Sequence, residues 1–154
     1  MTDKELMYLN IGKIIHIAQT IEYNLSTIIA FSNLEKELKK RKLTNEEIKD
    51  KLSQIEVLYD EISRKPLGYS MELAKETHIF TDDFLVVLNK ALHSRNYYAH
   101  IFFKEDIKNN KLANNLSDVN KDLEFNIKRL TNINNELADD MQTLKIRINE
   151  LIKK

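Results

Sequence analysis

The chain has 154 residues, enough for one domain with a sizeable buried core, and its 24 Lys and Arg balance 24 Asp and Glu. Bulk charge therefore gives no general attraction for nucleic acid, so any RNA binding has to come from a local basic patch. Cysteine is absent, which excludes a disulfide framework and a thiolate metal site and is compatible with a reducing cytoplasm.

The first ten residues, "MTDKELMYLN", lack the basic region and apolar core of a secretory signal. The longest apolar runs, such as Phe84 to Leu88, fall far short of the roughly 20 residues that span a bilayer. A soluble, cytoplasmic chain with no membrane partner is expected. Glycine occurs only at Gly12 and Gly68 and proline only at Pro66, too few turn-formers for a sheet with many hairpins. The expected fold is all-α, an antiparallel bundle of four to five helices with a long C-terminal helix.

Helix 1 is expected from Thr2 or Asp3 to Lys40, because Ile14, Ile17, Ala18, Ile21, Leu25, Ile28 and Ile29 follow three-and-four spacing. Gly12 interrupts it at a cost of roughly 1 kcal/mol relative to alanine, so either a neighbouring helix packs close there or the helix starts irregularly. The basic run Lys36 to Lys42, with Lys39, Lys40 and Arg41 at its centre, either contacts RNA phosphates or complements the negative end of helix 1. Thr44 to Glu47 has the form of a capping box, which opens helix 2 through about Ser63. Pro66 and Gly68 mark a break. A short helix 3, about Tyr69 to Ile79, ends before Thr81, which caps helix 4, about Asp82 to Lys104, with Asp82 and Asp83 complementing its positive start.

A last helix, about Ala113 to Lys153, carries Leu116, Leu123, Leu130, Leu137, Leu144 and Leu151 in an unbroken seven-residue repeat. With these leucines at d, the a positions are Asn120, Ile127, Asn134, Met141 and Ile148, which include the buried asparagines that specify coiled-coil pairing. The division is thus a helical bundle over 1–108 and a long helix over 109–154. That helix either packs on its own bundle or forms a dimer coiled coil.

The chemistry concentrates on helix 4. Phe84, Leu88, Ala91, Tyr98 and Phe102 form one apolar ridge, and Arg95 occupies its missing step. Arginine is rarely buried without a partner, so either a carboxylate faces it or this part of the helix lines a cleft or subunit interface. Glu22, amid the apolar face of helix 1, is the natural partner. Asn96 and His100 are four apart, placing Asn96 where it can orient the imidazole. Arg95 and His100 diverge by about 140° on an α-helix, which arginine's long stem can bridge to a shared phosphate.

Metal-free RNA cleavage requires such groups: a base for the 2′-hydroxyl and a cation for charge developing on phosphorus. Histidine, with an unperturbed pKa of about 6.5, suits the proton transfer. One histidine completes half the cycle, and two protomers meeting across a two-fold axis would supply the second.

"RNYYAH", Arg95 to His100, resembles the Arg-polar-x-x-x-His signature of the HEPN superfamily (higher eukaryotes and prokaryotes nucleotide-binding), helical bundles that include RNase toxins and phage-defence effectors. The embedding "LNKALHSRNYYAHIFF" and the upstream "PLGYSMEL" are also similar to segments of such proteins. The resemblance covers Leu6 to Phe103 loosely and is sharp only at the motif. It implies a homodimer with a composite cleft, Arg95 and His100 catalytic, Asn96 supporting, an RNA substrate and a protein antitoxin as a further partner. Members paired with a minimal nucleotidyltransferase often carry His-x-Tyr. Here His100 is followed by Ile101 and Phe102, so that tyrosine is missing. Tyr97 and Glu22 complete the candidate set, as RNA contact and supporting residue.

No cofactor or metal is expected. His93 and His100 lie seven apart, about 10.5 Å along the axis, too far to share one zinc ion. Glycine-rich phosphate loops, paired-carboxylate metal spacings and Ser or Cys nucleophile contexts do not occur. The alternative to an endoribonuclease is a non-catalytic scaffold that dimerises through its C-terminal helix.

Overall fold

The first two helices each start where a side chain satisfies free N–H groups. The Thr2 hydroxyl accepts from the Glu5 N–H at 3.1 Å, and the Glu5 carboxylate accepts from the Thr2 N–H at 2.8 Å. This capping box opens α1, Asp3–Lys40. The same box, built by Thr44 and Glu47, opens α2, Asn45–Arg64. The computed structural model describes residues 1–109 and 115–154. The remaining described elements are α3 (Leu67–Glu76), α4 (Asp82–Asn96), a π turn (Tyr97–Ile101), α5 (Phe102–Asn109) and α6 (Leu116–Lys153). The chain is all-α, a helical bundle with a long C-terminal helix.

Several boundaries differ from the sequence reading for local reasons. Pro66, at φ −54° with extended ψ, stands at the cap of α3, which therefore starts at Leu67 and not at Tyr69. α3 stops at Glu76 because His78 is left-handed, at φ 56°, and turns the chain before Ile79 can continue the helix. α4 ends at Asn96, where the π turn begins, and not at Lys104. The expected start of the last helix at Ala113 lies outside the described residues.

Gly12 is neither a close-packing site nor an irregular start. It is exposed inside a regular helix, and a Cβ placed there meets nothing within 4 Å.

Contacts along α1 give the helix directions. Ser63 and Tyr59 of α2 meet Glu22 and Tyr23, so α2 returns antiparallel over the C-terminal half of α1. Lys36 reaches the Glu76 carbonyl at 2.9 Å, Arg95 meets Glu22, and Phe103 stacks on Tyr8 at 5.8 Å. Going from Arg95 on Glu22 to Phe103 on Tyr8, the rod formed by α4, the π turn and α5 therefore runs antiparallel to α1.

α6 is different. The Asn10 amide donates to Asn120 at 3.4 Å and the Asn24 amide to Asn134 at 2.6 Å, two pairs with the same separation of 110 positions. Equal separation requires α1 and α6 to run parallel. Met7, Ile14, Ile21 and Ile28 from α1, and Leu123, Leu130, Leu137 and Leu144 from α6, belong to one core and are each at most 1 % exposed. The leucine repeat is thus covered within the chain, and the long helix packs in cis. The asparagine device is present too, but it pairs α6 with α1.

Two stability measurements check this packing. Leu130→Ala is expected to lower the unfolding free energy by roughly 2–5 kcal/mol in urea, through lost burial and a residual cavity. Phe125→Ala, at a residue 68 % exposed on the same helix, should cost no more than about 0.5 kcal/mol. Gly12→Ala is expected to stabilise the chain by up to about 1 kcal/mol in the same assay, because the added methyl meets open space within a helix.

Candidate functional site

Burying a carboxylate among isoleucines is unfavourable unless donors surround it. Glu22, midway along α1, is such a group, with its side chain 6 % exposed. Arg95 of α4 places Nε 3.4 Å from Glu22 Oε1, and the Ser63 hydroxyl of α2 donates to Glu22 Oε2 at 3.1 Å. Three helices therefore converge on one carboxylate. The arginine that interrupts the α4 ridge faces an acid in the same chain, and its own side chain stays 23 % exposed.

Burial pushes the Glu22 carboxyl above its ordinary range, and the opposing pull of Arg95 and the Ser63 hydroxyl does not cancel it.

His100 lies just beyond, in the π turn. There the Phe102 N–H bonds to the Tyr97 carbonyl, five residues back. The wider turn reduces the divergence that a regular α-helix would impose between Arg95 and His100, and π turns recur at functional sites. Tyr97, Tyr98, Phe102 and Phe103 pack ring against ring at 5.1 to 6.1 Å around it. His100 itself is exposed, and among the described residues no side chain hydrogen-bonds or ion-pairs with it.

The brace expected from Asn96 is not made. The helix leaves α geometry directly after Asn96, which instead lines a cavity of about 30 Å³ beside Glu22, Ser70 and Lys65. Tyr97 is also not free for RNA: its ring is half-buried and its hydroxyl donates to the Glu105 carboxylate at 3.0 Å.

Lys39, Lys40 and Arg41 are remote from this layer. They follow Glu22 by 17 to 19 positions, at the far end of α1, roughly 25 to 28 Å away at 1.5 Å per residue. Arg41 pairs with Glu47 at 2.7 Å, and Lys39 approaches Glu35 at 3.9 Å.

Sequence reasoning missed Ser63, whose link to Glu22 spans 41 positions and leaves no local spacing signal. It also missed a polar seam between α4 and α6. There the Asn126 amide donates to the Tyr98 hydroxyl at 3.0 Å, and Arg129 Nη2 to the Ser94 hydroxyl at 3.3 Å.

Among the described residues, no cluster of three His, Asp or Glu side chains is placed to hold a metal ion. No helix among them is long and apolar enough to cross a membrane. Compared with protein families, with curated proteins and with solved structures, the chain matches none.

The raised pKa of Glu22 has a testable sign. The folded state binds this proton more tightly than the unfolded chain, where the ordinary value is 4.5. Its contribution to stability therefore falls as pH rises through the window above 4.5. In urea titrations, the difference in unfolding free energy between wild type and Glu22→Gln should move in favour of wild type on going from about pH 7 to about pH 5. A move in the opposite direction would show that the ion pair, and not burial, governs this carboxyl.

Proposed function

We propose that this chain is a metal-independent endoribonuclease of the HEPN type, acting as a toxin or phage-defence effector, whose site is completed by a second copy of itself. The observation that carries the reading is that a partly buried Arg95, anchored by Glu22, is followed five residues on by an exposed His100 in the π turn. An anchored cation beside an unencumbered imidazole is the minimum that phosphoryl chemistry at a 2′-hydroxyl needs.

In this mechanism neutral His100 takes the proton from the 2′-hydroxyl, and the 2′-oxygen attacks the adjacent phosphorus. The bond from phosphorus to the 5′-oxygen breaks. Protonated His100 of the second protomer gives its proton to that leaving oxygen, yielding a 2′,3′-cyclic phosphate and a free 5′-hydroxyl. Arg95 stabilises the charge that accumulates on the non-bridging oxygens. Val86, 56 % exposed, and Ile101, 45 % exposed, supply apolar surface on the same helical rod for the second protomer. A protein antitoxin would act by covering this face.

A second reading, a non-catalytic helical interaction protein, draws on one observation. The ion pair between Arg95 and Glu22 accounts for both charges with no substrate present. The C-terminal leucine repeat is covered in cis, so such a protein would have to use another surface.

His100 separates the two readings better than Arg95, because it is exposed and without a hydrogen-bond or ion-pair partner among the described residues, while Arg95 also holds a buried acid. Wild type, His100→Ala and Arg95→Lys would be incubated with single-stranded RNA in EDTA. Wild-type cleavage to cyclic-phosphate ends is expected, with losses of about 10²-fold or more in His100→Ala at unchanged thermal stability. Arg95→Lys should retain the fold and lose most of the rate. Cleavage at the same rate by all three proteins rejects the mechanism, and an inert wild-type dimer favours the scaffold.

A further inference from the structure

The parallel course of α1 and α6 brings both of their C-terminal ends to one end of the bundle, where the first turn of α2 also lies. Between them is a cleft of about 690 Å³, within the roughly 300–1,000 Å³ range of pockets that take small ligands or several side chains. Its rim carries Lys39, Lys40, Arg41, Lys42 and Lys154, and its lining contains no acidic side chain. Arg41 is neutralised by Glu47 and Lys39 lies near Glu35, but Lys40, Lys42 and Lys154 have no ion-pair partner among the described residues. The floor is aliphatic: Leu38, Leu43, Ile48 and Leu151, with Ile152 41 % exposed at its edge.

We propose that this cleft docks an acidic amphipathic segment of a partner protein, one that places leucine- or isoleucine-sized side chains on the floor and Asp or Glu against the rim. The cations alone would suit any polyanion. The floor decides between them, because single-stranded RNA is held by stacking its bases on aromatic rings, and no aromatic side chain lines this cleft. Leucine and isoleucine side chains instead form the kind of groove that receives the apolar face of a helix. Rim cations around an aliphatic floor set the partner's charge and register. This inference is independent of the proposed catalytic mechanism, since the cleft contains neither Arg95, His100 nor Glu22.

The test uses the full chain and a fluorescein-labelled synthetic helical peptide of about 18 residues, with Leu and Ile on one face and Glu on the other. Fluorescence anisotropy would be compared with a scrambled peptide of the same composition and with a single-stranded RNA oligonucleotide. The amphipathic peptide is expected to bind more tightly than the scrambled one by roughly fivefold or more. Lys40→Glu with Lys42→Glu, and separately Ile152→Asp, should each weaken binding by about tenfold at unchanged circular dichroism. Equal binding of both peptides, or no loss in either variant, overturns the proposal. RNA binding that the Lys40→Glu, Lys42→Glu variant abolishes, without peptide binding, would instead assign the cleft to nucleic acid and overturn it as well.

Discussion

The parallel pairing of the first and last helices is the constraint on which the rest of the structure depends. Each is 38 residues long, and each repeats a large aliphatic side chain every seven positions toward the other. Apolar repeats alone would tolerate a slip of one heptad. The asparagine pairs, Asn10 with Asn120 and Asn24 with Asn134, resist it, because a shifted register leaves buried amides without partners. Near the far end, Arg147 grips the Glu35 carboxylate with two donors, at 2.8 and 3.1 Å, in the same alignment.

Two parallel helices require the intervening chain to return the full length of the bundle. The rod of α4, π turn and α5 makes that return, while α2 and α3 form a shorter excursion against the C-terminal half of α1. The return places Arg95 at the height of Glu22, and the excursion places Ser63 there as well. The polar layer at mid-bundle is therefore a product of topology. A buried acid with donors from two other helices also ties the excursion to the return rod, since moving the rod would leave Glu22 without its cation and moving the excursion would take away a hydrogen-bond donor.

Much of this was legible in the sequence because it is local. The capping box at Thr44, the cap at Thr81, and the three-and-four spacing in α1 act over a turn or two of helix, so propensity and pattern suffice to place them. The Arg95 interruption of an apolar ridge left two outcomes open, a facing carboxylate or a cleft or interface, because buried charge has few physical solutions, and Glu22 supplies the first. The π turn was not legible. It lies where four aromatic rings, Tyr97, Tyr98, Phe102 and Phe103, pack against one another, and there it replaces the α-helical hydrogen-bond pattern. The Asn96 brace failed for this reason, since four-residue spacing faces one direction only while the helix remains regular.

By itself, the sequence determined that the chain is helical, where α1, α2 and α4 begin, much of which faces they bury, and that Arg95 needs a partner. Those properties follow from hydrogen-bond capping, periodicity and the unfavourable burial of unpaired charge. Only the tertiary structure decided that the leucine repeat pairs with α1 and not with a second chain, because an amphipathic stripe does not encode whose surface will cover it. It also decided that Ser63 joins Glu22 and that Lys40, Lys42 and Lys154 meet around one cleft. Residues so far apart in sequence become neighbours only through the register and direction of packed helices.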